Sequence, residues 1–271
     1  MEVNLPPGWR TSMVLSGLLA LVLPPLVGVV LVRRWKLRWR VLLTGALVFT
    51  ATQLLTRIPL VAALGQILRP ALRSSPTLEW LWLVVLSSSA GLFEESGRLA
   101  AFRWLLRSEP RSARIATVFG IGHGGLEAMV LVGLSQIANG LLVPEAFARL
   151  DPTALPAEVL EQVAEQVRML EAQTAWTPFL ALWERAAAIV LHVALTWIVV
   201  SGLRDGRIWR RWGLAVALHT LVNLAGAGYL KIAGSARPAA LLTSELVVSA
   251  GAAFALWCAV SVWRAPSRRS V

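Results

Sequence analysis

The stretch "SMVLSGLLALVLPPLVGVVLVRRWKLRWR", Ser12 to Arg40, decides how the chain is to be read. No charge falls between Met13 and Val32, and five basic residues then follow in the next eight positions. An uncharged run of that length crosses about 30 Å of hydrocarbon as a helix, and a basic cluster at its end marks the cytoplasmic boundary. No small-residue cleavage site closes the run, so it is expected to stay as an anchor.

The rest of the sequence repeats the arrangement. Of 271 residues, 56% are hydrophobic and 15% charged, and the mean hydropathy of +0.65 is too high for an ordinary soluble domain. Seven spans are expected at 12–32, 41–63, 78–102, 115–138, 179–203, 212–230 and 240–263, forming one all-α, polytopic integral membrane domain over 1–271. No internal repeat is present.

Segments 33–40, 103–114, 204–211 and 264–271 hold sixteen Lys and Arg, against seven in the opposite segments, which are more than twice as long. The positive-inside bias therefore sets the N-terminus outside and the C-terminus in the cytoplasm of a bacterial plasma membrane, with the tail "RAPSRRSV" as a basic cytoplasmic end. Trp35, Trp39, Trp80, Trp104, Trp176, Trp209, Trp212 and Trp263 fall near span ends, as interfacial rings should.

The net charge of +11 does not imply nucleic acid, because the basic residues punctuate apolar runs instead of forming a patch. The expected partners are membrane lipid and a membrane-embedded or membrane-associated peptide substrate. Cys258 is alone, so it forms no intrachain disulfide. Residues 141–176 form a long acidic interruption in which Val159, Val163, Val167 and Leu170 recur at helical spacing, as in an external amphipathic helix.

Ionisable groups inside spans are costly and need a reason. Counted from the cytoplasmic ends, Glu94, His123, Glu127, His192, His219 and Asn223 share one layer, roughly 10 to 18 Å deep at about 1.5 Å per residue. Phe119, His123 and Glu127 lie at i, i+4, i+8; Glu94 and Arg98, and His219 and Asn223, are one turn apart, so each set shares a helix face. Arg57, Glu184, Arg185 and Glu245 form an outer layer, expected to be a charge network tying spans together, with a substrate entry site as the alternative.

In a poorly hydrated cavity, two adjacent carboxylates beside an imidazole have divergent proton affinities, and one can act as base toward water. Glu94 with His123 is set to activate water, His219 and Asn223 to donate to an oxyanion, and Arg98 to hold a carboxylate. Gly120, Gly122, Gly124 and Gly125 serve either close helix packing or room for a peptide beside His123. His123, Glu127, His192 and His219 are also zinc-type ligands, with Glu94 then the base, although no His-Glu-x-x-His signature is present. Buried Glu and His chains also make the proton relays of transporters, but no inverted repeat supports that class; a non-cutting membrane scaffold is a third reading.

The blocks "FEESGR" (Phe93–Arg98), "FGIGHGGLE" (Phe119–Glu127) and "HTLVN" (His219–Asn223) resemble the YhfC family of intramembrane peptidases, relatives of the PrsW and CAAX-processing (CPBP, Abi) glutamic proteases. The shared pattern is a Glu-Glu pair followed by a basic residue, then Phe-x-x-x-His or Phe-x-x-x-Glu, then His-x-x-x-Asn or His-x-x-x-Asp. The resemblance implies a glutamic peptidase without a cofactor: Glu94 the base, His123 assisting, His219 and Asn223 as oxyanion donors, with Glu95, Arg98, Glu127 and His192 in support. Arg98 follows the pair after two residues, as in the PrsW-like Glu-Glu-x-x-Lys, so a CAAX substrate is not implied.

Overall fold

A computed structural model describes residues 3–234 and 237–265. Pro266 to Val271, most of the basic tail, lie outside the described residues. Seven helices are long and apolar enough to cross a membrane: α1 Trp9–Arg34, α2 Trp39–Ser74, α3 Pro76–Leu105, α4 Ala113–Arg149, α6 Thr177–Asp205, α7 Ile208–Ala233 and α8 Pro238–Arg264. Between α4 and α6 lies α5, Ala157–Glu171, none of whose residues is buried. The protein is a polytopic all-α membrane protein.

Two helices run past the expected span ends. α2 continues to Ser74 through Pro70, and α4 continues to Arg149 through Pro144, so the first part of the expected external segment is an extension of α4. Only after Pro152–Ala154, a single 3-10 turn, does the separate helix α5 begin. Helix starts are set locally: the Ser75 and Ser112 hydroxyls accept from the third amide of α3 and α4. The α6 helix ends at Gly206, whose φ of 73° suits glycine.

The centre of the bundle is α6. Two thirds (67%) of its most apolar stretch is buried, against a third or less for every other span. It packs against α1, α4, α7 and α8, while α3 packs on α7 and α2 on α4. Elsewhere apolar residues face outward in stripes, such as Leu15, Leu18, Val22, Leu26 and Val30 on α1, a surface that only lipid can satisfy.

The glycines of "GIGHGG" bring α4 against three neighbours. A Cβ on Gly122 would lie 2.1 Å from the Leu42 carbonyl oxygen of α2, and one on Gly45 would lie 2.2 Å from the Phe119 carbonyl oxygen of α4. Gly120 and Gly124 abut α6, and Gly125 abuts Pro24 of α1. Helix packing takes up the space at these glycines, the first of the two readings left open by the sequence, and leaves none for a peptide at their positions.

Three helices are interrupted by π-helical segments, Thr50–Arg57 in α2, Ala101–Leu105 in α3 and Ala128–Leu134 in α4. The first contains Gln53 and the third directly follows Glu127, both residues of the site described next, where π segments often fall; the second ends α3, starting three residues beyond Arg98.

Candidate functional site

On α3, Glu94 and Glu95 are successive residues, so their side chains point about 100° apart around the helix. That divergence gives them different partners. Glu94 turns to α4, where its Oε2 accepts from His123 Nε2 at 2.8 Å. Glu95 turns to α7, where its Oε1 lies 3.0 Å from His219 Nδ1, and both its oxygens accept from Arg98. Glu95, Arg98 and His123 are fully buried, and Glu94, His192 and His219 nearly so.

The three imidazoles surround Glu94. His192 Nδ1 stands 3.7 Å from its Oε2 and His219 Nε2 stands 3.9 Å from its Oε1. The rings of His123 and His192 are 4.7 Å apart, and those of His192 and His219 are 5.4 Å apart. Of the layer expected from the sequence, Glu94, His123, His192 and His219 thus form one contact cluster, joined by Glu95 and Arg98.

Arg98 also fixes a tautomer. A guanidinium only donates, and its Nη2 lies 3.1 Å from His192 Nδ1, so that nitrogen accepts. The ring proton is then on Nε2, which donates to Glu127 Oε2 at 2.6 Å. Glu127 therefore serves His192 on α6 rather than His123 on its own helix face. Its other oxygen accepts from Arg185 Nη1 at 2.9 Å, and Arg185 also donates to Glu184.

Glu95 is acceptor to Arg98, so His219 uses its Nδ1–H as donor to Glu95 and turns Nε2 toward the cavity. His123 Nδ1 is buried without a hydrogen bond.

Gln53, from the π segment of α2, completes the shell. Its amide nitrogen donates to Glu94 Oε1 and its amide oxygen accepts from Arg57 Nη1 at 2.9 Å. Sequence reasoning on ionisable groups passed over this uncharged residue. The signal was its position one turn from Arg57, the single cation of that span.

The outer layer differs from the expected network. Arg57 makes no ion pair among the described residues; besides Gln53, it donates to Ser89 Oγ and the Leu86 carbonyl. Glu245 is in no ion pair there either. Only Glu184 and Arg185 pair as expected. Asn223 lines the cavity without a hydrogen bond to the histidines or carboxylates among the described residues.

The cavity, about 740 Å³, is lined at its deep end by Glu94, His192 and His219 and at the other by Trp9, Gln173 and Thr177, at or just before the starts of α1 and α6. Five carboxylates (Glu94, Glu95, Glu127, Glu184, Glu245) lie in or beside it with three guanidiniums (Arg57, Arg98, Arg185), a surplus of two negative charges when all are ionised. In surroundings of low polarity such a surplus attracts protons or a cation. Four groups offer themselves to a cation: Glu94, His123, Glu127 and His192 each bring a ligand atom within 4.8 Å of the others. Two imidazoles with carboxylate oxygens are a zinc-type donor set, so the residues fit such an ion.

Comparison with known proteins agrees with this chemistry. The chain is 30% identical over 180 residues to a protein of Bacillus subtilis (strain 168) described as the uncharacterized membrane protein YhfC. The alignment covers 65% of this chain and 66% of that relative's length. No solved structure matches. The family model described as YhfC intramembrane metalloprotease matches residues 19–241. Its description names a metal, which the cofactor-free reading of the sequence did not. Over that length of match, the chain belongs to the YhfC intramembrane metalloprotease family.

Proposed function

We propose that the protein is an intramembrane peptidase that hydrolyses a peptide bond of a membrane-embedded or membrane-associated substrate at the deep end of this cavity. The observation that carries the reading is the convergence of Glu94, His123, Glu127 and His192 within 4.8 Å. His123, His192 and Glu127 would hold a zinc ion, and Glu94 is the carboxylate left to act on water. When bound, zinc polarises the scissile carbonyl and lowers the proton affinity of water.

The chain's own residues do the rest. Glu94 takes the proton from water and passes it to the leaving amine. His219, anchored through Nδ1 on Glu95, presents Nε2 to the cavity. Once protonated there, it donates to the oxygen that gains charge, with Asn223 one turn along α7 as a second donor. Gln53 holds Glu94 in orientation from the opposite side.

A second reading, the metal-free glutamic one, is favoured by Arg98. With Arg98 on Nδ1 and Glu127 on Nε2, both His192 nitrogens are engaged without an ion. In that case Glu94 and His123 share the proton of an attacking water. In either reading the termini are oriented as the basic loops require, and the cavity opens outward.

Metal analysis of protein purified without chelator, alongside cleavage of membrane-inserted reporter peptides, tests both. The zinc reading expects stoichiometric metal, lost in His123→Ala and His192→Ala. It also expects cleavage stopped by chelation and restored by zinc, and Glu94→Gln protein that keeps metal without cleaving. Metal-free protein that cleaves in the presence of chelator leaves the glutamic reading standing. A reporter panel uncut under every condition refutes the peptidase assignment and returns the transporter and scaffold classes.

A further inference from the structure

Glu245 of α8 lies in the cavity wall, 7% exposed, and its Oε2 is buried without a hydrogen bond. Among the described residues, no positive charge nearby is free to serve it. Arg185 is spent on Glu184 and Glu127, and Arg57 on Gln53, Ser89 and the Leu86 carbonyl. The neighbouring Ser244 hydroxyl is given to the Gly226 carbonyl at 3.4 Å. A buried carboxylate in a cavity wall with no partner is unsatisfied until something that enters the cavity supplies one.

We infer that Glu245 forms a subsite for a basic side chain, lysine or arginine, of the peptide bound in the cavity; this rests on the peptidase reading. Leu230, Leu241 and Val248 line the same cavity and provide apolar walls for the aliphatic stem of such a side chain. Glu184, already paired, adds negative potential beside it.

Its distance from the chemistry follows from the helices. Pro76 and Pro238 start α3 and α8 on the same side; Glu94 is eighteen residues into one and Glu245 seven into the other. Eleven residues of depth are about 16 Å, or about five residues of extended peptide. The subsite therefore reads a residue about five positions from the scissile bond, toward the outer face.

A positional scan tests this. Reporter peptides carrying Lys, Gln or Glu at single positions are presented to wild-type protein, Glu245→Gln and Glu245→Lys, and cleavage is measured. Binding of the same peptides to Glu94→Gln protein is read by fluorescence anisotropy, which needs no turnover. Lys is expected to be favoured over Gln on the order of tenfold at one position. The preference should vanish in Glu245→Gln and turn toward Glu in Glu245→Lys. Glu245→Gln removes no partner and should melt as wild type does, so loss of preference cannot be put down to misfolding. Lys preference that survives Glu245→Gln, or cleavage with no preference at any position, overturns the subsite alone. Differential binding without cleavage of any peptide keeps the subsite and removes the peptidase reading.

Discussion

Replacing Arg98 by Met should expose how the buried layer is held together. Arg98 and Glu95 are both fully buried, and the guanidinium contacts both Glu95 oxygens and His192 Nδ1. Its removal leaves Glu95 charged with only His219 beside it, a loss of about 3–5 kcal/mol for a buried pair broken on one side. His192 Nδ1 also loses its donor, for about 1–3 kcal/mol more. Adding Glu95→Gln removes the uncompensated charge yet keeps an oxygen for His219, so the double variant should retain only the second cost. The double variant is therefore expected to be about 3 kcal/mol more stable than the single one. Arg98→Lys should fall between wild type and Arg98→Met, since one ammonium cannot reproduce the planar fork. Unfolding in mixed micelles titrated with SDS, followed by the fluorescence of the 13 tryptophans, gives the comparison. A double variant as unstable as Arg98→Met would refute the reasoning and reduce Arg98 to a space-filling role.

The crossing of α2 and α4 should be as intolerant as its spacing indicates. Gly45→Ala and Gly122→Ala push a methyl to 2.2 Å and 2.1 Å from backbone oxygens and should each cost about 1–3 kcal/mol or more, lowering the melting temperature. Gly213→Ala, with nothing within 4 Å, should melt at or above the wild-type temperature; equal melting of all three would contradict the packing account. Orientation is checked in a Cys258→Ser background: Thr153→Cys should react with an impermeant maleimide on intact cells and Ser108→Cys only after permeabilisation, and the reverse pattern would invert the assigned topology.

Hydropathy made the helices legible, because a bilayer imposes a length on any chain that crosses it. Depth was equally legible: residues counted from the basic ends put Glu94, His123, His192 and His219 in one layer, and the structure brings them into contact. Counting gives height, but not which neighbour a helix turns toward. Glu127 lies one turn from His123, yet it bonds to His192, because Glu94 already meets His123 from α3. Arg57 and Glu245 were assigned to a network by height alone, and their azimuths assign them elsewhere. Gln53 escaped because an amide is cheaper to bury than a charge and stands out less in an apolar run. The ends of α2 and α4 were missed because the expected spans were sized to cross the hydrocarbon, whereas both helices run on through Pro70 and Pro144.

The π segments bear on how such a molecule could diversify. A π turn carries one more residue than the α-helical turn it replaces, so it marks a place where the chain can lose a residue and remain helical. Because the π turn and the α turn that replaces it both close one revolution, such a deletion leaves everything beyond it facing nearly as before, whereas the same deletion in regular α-helix rotates everything beyond it by about 100°. Within 128–134 of α4, a one-residue deletion would leave His123 and Glu127 undisturbed. It would also leave Gln136 facing Ser16 and the Pro178 carbonyl, to which it now bonds. The π segments thus act as slack in the chain: a residue can be gained or lost there while the carboxylates and imidazoles of the inner layer, and the polar contacts of the rim, both keep their facing.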